Sequence, residues 1–109
     1  EEERDSAKQF DREWAEAVLA NARRRLQEAH EQAGKADRFE VLVLYLTEKT
    51  DSASAASAAE KLGMSLAAVR MAVSRLRDDF RVVILSEIRD TVGGDVDVDE
   101  EFDYLLSCL

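Results

Sequence analysis

The sequence has 109 residues, with no proline, four glycines, one cysteine and a formal net charge of −9. That length supports one compact domain, and scarce helix breakers beside abundant alanine, leucine, glutamate and arginine predict an all-α fold of about five helices. No run of roughly 18 apolar residues is present to span a membrane, one cysteine cannot close an internal disulfide, and the opening "EEERDSAKQF" has no leader-like basic-then-apolar order, so a cytoplasmic protein is expected.

The first predicted helix runs from about Asp11 to Ala33. Phe10, Trp14, Val18, Ala22, Leu26, Ala29 and Ala33 recur at steps of three and four and share one face. On that face Trp14 reads as core or helix-pairing surface. Arg23, Arg24 and Arg25 lie on the other side near Glu13, Glu16, Glu28 and Glu31, which describes a salt-paired, solvated face better than a phosphate track. Gly34 has the place of a C-cap glycine.

"KADRFEVLVLYLTE" reads as a buried helix with Phe39, Leu42, Val43 and Leu46 on one face, and its β-branched content leaves a strand as the alternative. A loop, "KTDSAS", follows, with Ser54 as the expected N-cap of a short helix, "AASAAEKLG", that ends at Gly63. Ser65 caps the next helix from Leu66. Its seam is Leu66, Val69, Val73, Leu76, Phe80 and Val83, continued by Ile84 and Ile88 to about Val92. Gly93–Gly94 is the clearest break, and "DVDVDEEFDYLLSCL" closes with an acidic cap region and a short helix carrying Val98, Phe102, Leu105, Leu106 and Leu109. The expected organisation is an N-terminal helical pair at 1–50, a helix-turn-helix with an extended second helix at 51–92 and an acidic helix at 93–109, in one compact domain.

Charge is distributed unevenly along these segments. Residues 1–50 hold nine Lys/Arg and twelve Asp/Glu, residues 51–82 hold five and four, and residues 83–109 hold one and eight, for nets of −3, +1 and −7. A local basic site beside an acidic tail follows, rather than a protein that coats nucleic acid. The basic site falls on the helix-turn-helix layout, in which a short helix braces a longer one that enters the major groove. Ala59 and Leu62 are expected to pack against Leu66, Val69 and Val73. At about 100° per residue, Ala67, Met71, Ser74 and Asp78 oppose the seam with Arg75 beside them, while Arg70 and Arg77 lie on its flank, suited to phosphate. Any helical hairpin with a glycine turn shares this layout, and Asp78 and Asp79 bring negative charge to it.

Other chemistry finds little support. "DVDVDEE" opens like a calcium loop, but Glu100 stands where the loop needs glycine and Leu106 where it needs glutamate, so capping by Asp97 or Asp99 explains the acids. The only histidine, His30, and the only cysteine, Cys108, lie on different helices with no third group to complete a nucleophilic site. No phosphate-cradling glycine loop or metal-ligand cluster is present. The sequence reads as a non-enzyme without cofactors.

"SAASAAEKLGMSLAAVRMAVSRLR", residues 54–77, resembles the C-terminal helix-turn-helix domain of bacterial RNA polymerase sigma factors, which reads the −35 promoter element. From about residue 9 to 109 the chain is similar to an extracytoplasmic-function (ECF) sigma factor of the planctomycete type, through "FDREWA" at 10–15, "AGKADRFE" at 33–40, "AAEKLGMS" at 58–65, "AVRMAVSRLR" at 68–77, "EIRDTV" at 87–92 and "VDEE" at 98–101. The resemblance implies that Arg70, Met71, Ser74 and Arg75 face promoter DNA and that Arg77 and Arg81 contact phosphate. It also implies contact with the β flap of core RNA polymerase, masking by an anti-sigma factor, and a preceding domain that melts the −10 element. Ala55 and Ala58 stand where the family tends to carry an aromatic and a large apolar residue, and "RDDFRVV" is less basic than usual. The acidic 95–103 segment is expected to weaken the basic cluster. Two other readings use the same features: a protein-interaction module that keeps the fold without binding DNA, and a homo-oligomer built on the Trp14–Val18–Leu26 stripe.

Overall fold

The structure, a computed structural model, describes residues 2–46, 51–92 and 97–109. The fold is all-α: α1 (Glu2–Gln32), α2 (Ala36–Leu42) running into a 3-10 turn (Val43–Leu46), α3 (Ser52–Leu62), α4 (Leu66–Val92) and α5 (Val98–Ser107). The helix α1 starts well before the expected Asp11, because residues 2–10 contain neither glycine nor proline to stop it. The strand alternative for "EVLVLYL" is not taken up. The Gly93–Gly94 break lies outside the described residues, as do Lys49 and Thr50 of the "KTDSAS" loop.

Two helix ends close in the same way. Gly34, at φ 73°, donates to Glu31 O at 3.1 Å and Lys35 N–H donates to His30 O at 2.7 Å. Gly63, at φ 63°, donates to Glu60 O at 3.4 Å and Met64 N–H donates to Ala59 O at 3.0 Å. Each is a Schellman pair, which uses a left-handed residue to satisfy carbonyls left open at the helix end. The start of α3 differs from expectation: Asp51, not Ser54, is its N-cap. The Asp51 carboxylate accepts from Ser54 N–H at 2.7 Å. That makes Ser54 the third helical residue, whose open N–H the cap serves. The same bond, reinforced by the Ser54 side chain, holds the Asp51 carboxyl below its ordinary pKa. At α5, Asp97 accepts from Asp99 N–H at 3.1 Å and Glu100 N–H at 3.3 Å.

The chain contacts divide into two units. The first combines Glu1–Arg25 with Arg81–Leu109. Ala15, Val18, Ala22, Ile84, Ile88, Phe102 and Leu105 are its buried apolar residues. Arg25, from the triple arginine, donates to Glu87 Oε2 at 2.9 Å and Ser86 Oγ at 3.3 Å. Trp14 and Tyr104 lie with ring centroids 6.3 Å apart, and Tyr104 Oη donates to Asp11.

The second unit is Leu26–Phe80. It buries Leu26, Phe39, Leu42, Ala55, Ala58, Val69, Val73 and Leu76. Helix α2 packs on α3, and Tyr45 Oη donates to Ser54 O at 3.1 Å. Alanine at 55 and 58 buries fully where a larger side chain would hold the helices apart.

Several expected core positions lie nearer the surface. Leu66 is 39% exposed and Phe10 is 69% exposed. Ala29, Ala33, Leu106 and Leu109 are exposed, and Ala59, Leu62, Phe80 and Val83 are half-buried. On α4 the single seam expected is two seams. Val69, Val73 and Leu76 belong to the second unit with the half-buried Phe80, and Ile84 and Ile88 to the first with the half-buried Val83.

Candidate nucleic-acid interface

The site is built from the junction of α3 and α4. A side chain at Gly63 would meet no atom within 4 Å, so glycine is required there by its positive φ and not by crowding. Ser65 Oγ accepts from Ala68 N–H at 3.1 Å, serving an open donor in the first turn of α4. Beyond this turn Ala67, Arg70, Met71, Ser74, Arg75, Arg77 and Asp78 are exposed, and Val69, Val73 and Leu76 anchor the opposite side.

The six residues assigned to DNA by the resemblance fall into three groups. Arg70, Ser74 and Arg77 share a shallow pocket with Val73 and Asp78. Met71 and Arg75 line a separate cleft with residues of α1 and α2. Arg81 stands in the first unit, where its Nη2 is 3.8 Å from Asp99 Oδ1 and its guanidinium lies 4.6 Å from the centroid of the Phe102 ring. An exposed ion pair of that length is weak and screened by salt, so Arg81 is restrained more than neutralised. Arg77 is engaged as well, with Nε donating to Tyr45 O at 2.9 Å. Its contact fixes the end of the 3-10 turn and leaves less of its guanidinium fork for an outside anion.

Sequence reading missed Lys35 and Arg38, which line the cleft with Arg75. Their i,i+3 spacing at the start of α2 was the available signal, since such a pair projects from one face. His30, also on this cleft, has Nδ1 2.8 Å from Leu26 O and its ring centroid 5.1 Å from that of Phe39. The carbonyl is an acceptor, so Nδ1 carries the proton. His30 belongs to the second unit and Cys108 to the first.

Among the described residues no cluster of three His, Cys, Asp or Glu side chains is arranged to hold a metal ion, and Asp97 is engaged as a helix cap. Asp95, the first acid of "DVDVDEE", lies outside the described residues. No described helix is long and apolar enough to cross a membrane. Comparison with known protein families, curated proteins and solved structures gives no match.

Proposed function

We propose that this chain is the sequence-specific DNA-binding module of a sigma factor of the ECF type, recognising the −35 promoter element and contacting core RNA polymerase. The observation that carries the reading is the exposed face of α4, with Arg70, Met71, Ser74 and Arg75 directly after the turn at Gly63. Of the three segments compared by charge, residues 51–82, which hold this face, are the only one that is net positive. Arg75 reads base edges, Arg70 and Arg77 hold phosphate, and Arg81 adds a phosphate contact when it leaves Asp99. The sequence resemblance at residues 54–77 supplies the promoter element, the polymerase flap and the anti-sigma factor as partners; cytoplasmic location follows from that role.

The test is fluorescence anisotropy with −35-like and scrambled duplexes at two salt concentrations. Binding should weaken with salt by about one unit of log–log slope per phosphate contact. Arg75→Ala should cost about 1–3 kcal/mol on the preferred duplex and relax its sequence preference. Arg77→Ala should weaken all duplexes alike. Asp99→Asn should tighten binding at low salt by freeing Arg81. Deleting α5 is the wrong way to remove its charge, because Phe102 and Leu105 are core residues of the first unit. The Arg81–Asp99 pair favours a second reading, an interaction module that keeps this fold without binding DNA. Absence of salt-sensitive binding to either duplex would select it.

A further inference from the structure

The cleft beside α4 has a chemistry of its own. Its volume is about 280 Å³, at the small end of the roughly 300–1,000 Å³ typical of ligand pockets. The floor is apolar, with Phe39, Leu42, Ala68, Ala72 and Leu76. Three cations, Lys35, Arg38 and Arg75, and one carboxylate, Asp79, complete the lining with His30. Three positive charges against one negative make the lining +2 in a chain of −9. Among the described residues, no ion pair or side-chain hydrogen bond engages Lys35, Arg38 or Arg75.

We infer that this cleft binds a small aromatic carboxylate. The apolar floor excludes a bare inorganic anion as the fitting occupant, since such an ion would leave the floor wet and gain nothing from it. The surplus of cations excludes a neutral hydrocarbon, which would bring nothing to pair with them. A fused ring bearing one carboxylate satisfies both. Its ring lies against the tilted His30–Phe39 ring pair and the thioethers of Met64 and Met71, which favour aromatic edges. Its carboxylate takes the guanidinium forks of Arg38 and Arg75, whose planar donors match two carboxylate oxygens. The site overlaps the proposed DNA face at Met71 and Arg75 but does not depend on that reading.

The chain provides its own reporters. Its only two methionines, Met64 and Met71, and its only histidine, His30, all line this cleft. The experiment is NMR of the full chain with methyl-labelled methionine, titrated with naphthoate and, separately, with naphthalenemethanol and inorganic phosphate. Both methionine methyl signals and the His30 ring signals should shift saturably with naphthoate. The neutral alcohol and phosphate should each bind about tenfold more weakly or worse, the loss of one charge-assisted contact or of the apolar floor. Arg38→Gln and Arg75→Gln should each reduce naphthoate affinity by a similar factor while helix content by circular dichroism stays unchanged. Absence of saturable shifts would overturn the inference, as would equal affinity for the alcohol or for phosphate. Those comparisons use the unaltered chain, so they stand whatever the variants do, and none involves DNA.

Discussion

Ile88 and Val82 lie six residues apart on α4 and separate burial from mere hydrophobicity. Ile88 is fully buried in the first unit, and Val82 is 64% exposed. Replacing Ile88 with alanine removes three carbons, about 2.4 kcal/mol at roughly 0.8 kcal/mol per buried methylene. The cavity left behind raises that figure, and the better helix propensity of alanine returns about 0.5 kcal/mol, so the net loss is about 2–4 kcal/mol. Replacing Val82 removes two carbons of which about a third of the area is covered, a loss of about 0.6 kcal/mol that the propensity gain cancels. Trp14 is the only tryptophan and belongs to the same unit as Ile88, so its fluorescence follows the right transition in urea. With a slope near 1.5 kcal/mol/M, the Ile88→Ala midpoint should fall by about 1.3–2.7 M and the Val82→Ala midpoint by less than about 0.4 M. Equal midpoints for the two variants would refute the assignment of Ile88 to the core.

Tyr104 donates to Asp11, which raises its phenol above its ordinary pKa. A raised folded-state pKa gives stability that is intact below about pH 10 and lost as pH climbs through the folded value. Alkaline titration followed by Trp14 fluorescence should therefore show a loss above about pH 10 that is smaller in Tyr104→Phe; identical profiles would remove the bond from the fold. Gly63→Ala should cost about 1–2 kcal/mol from left-handed backbone strain alone, and Gly63→Asn less, because asparagine tolerates that conformation. Thermal melts by circular dichroism check the order, and an alanine variant as stable as the parent would mean that Gly63 is not left-handed.

The helices were legible because their signals are local. Proline is absent throughout, and glycine stands one or two residues past the ends of α1 and α3. The end of α4 at Val92 and the deep burial of Val69, Val73, Leu76, Ile84 and Ile88 follow from the same three-and-four spacing. Choosing Asp51 over Ser54 as the cap needed backbone geometry, since five residues there, Thr50, Asp51, Ser52, Ser54 and Ser57, have cap-capable side chains. The break in the α4 seam was invisible because a helix serving two cores in succession still shows one period. Likewise, the exposed arginine face could be read from angle, but the partners of Arg77 and Arg81 come from residues 32 and 18 positions away. No periodicity encodes contacts at that range.

The division of contacts also sets how far apart in the chain the partners within each unit lie. Leu26–Phe80 is one uninterrupted stretch of 55 residues, so its interactions can form from neighbours in sequence. The other unit joins Glu1–Arg25 to Arg81–Leu109 across that stretch and stays incomplete until α5 has been made. During synthesis Val18 and Ala22 are made well before Ile84, Ile88, Phe102 and Leu105 of the same unit. Joining its two segments closes a loop of 55 residues, an entropic cost that grows only slowly with loop length.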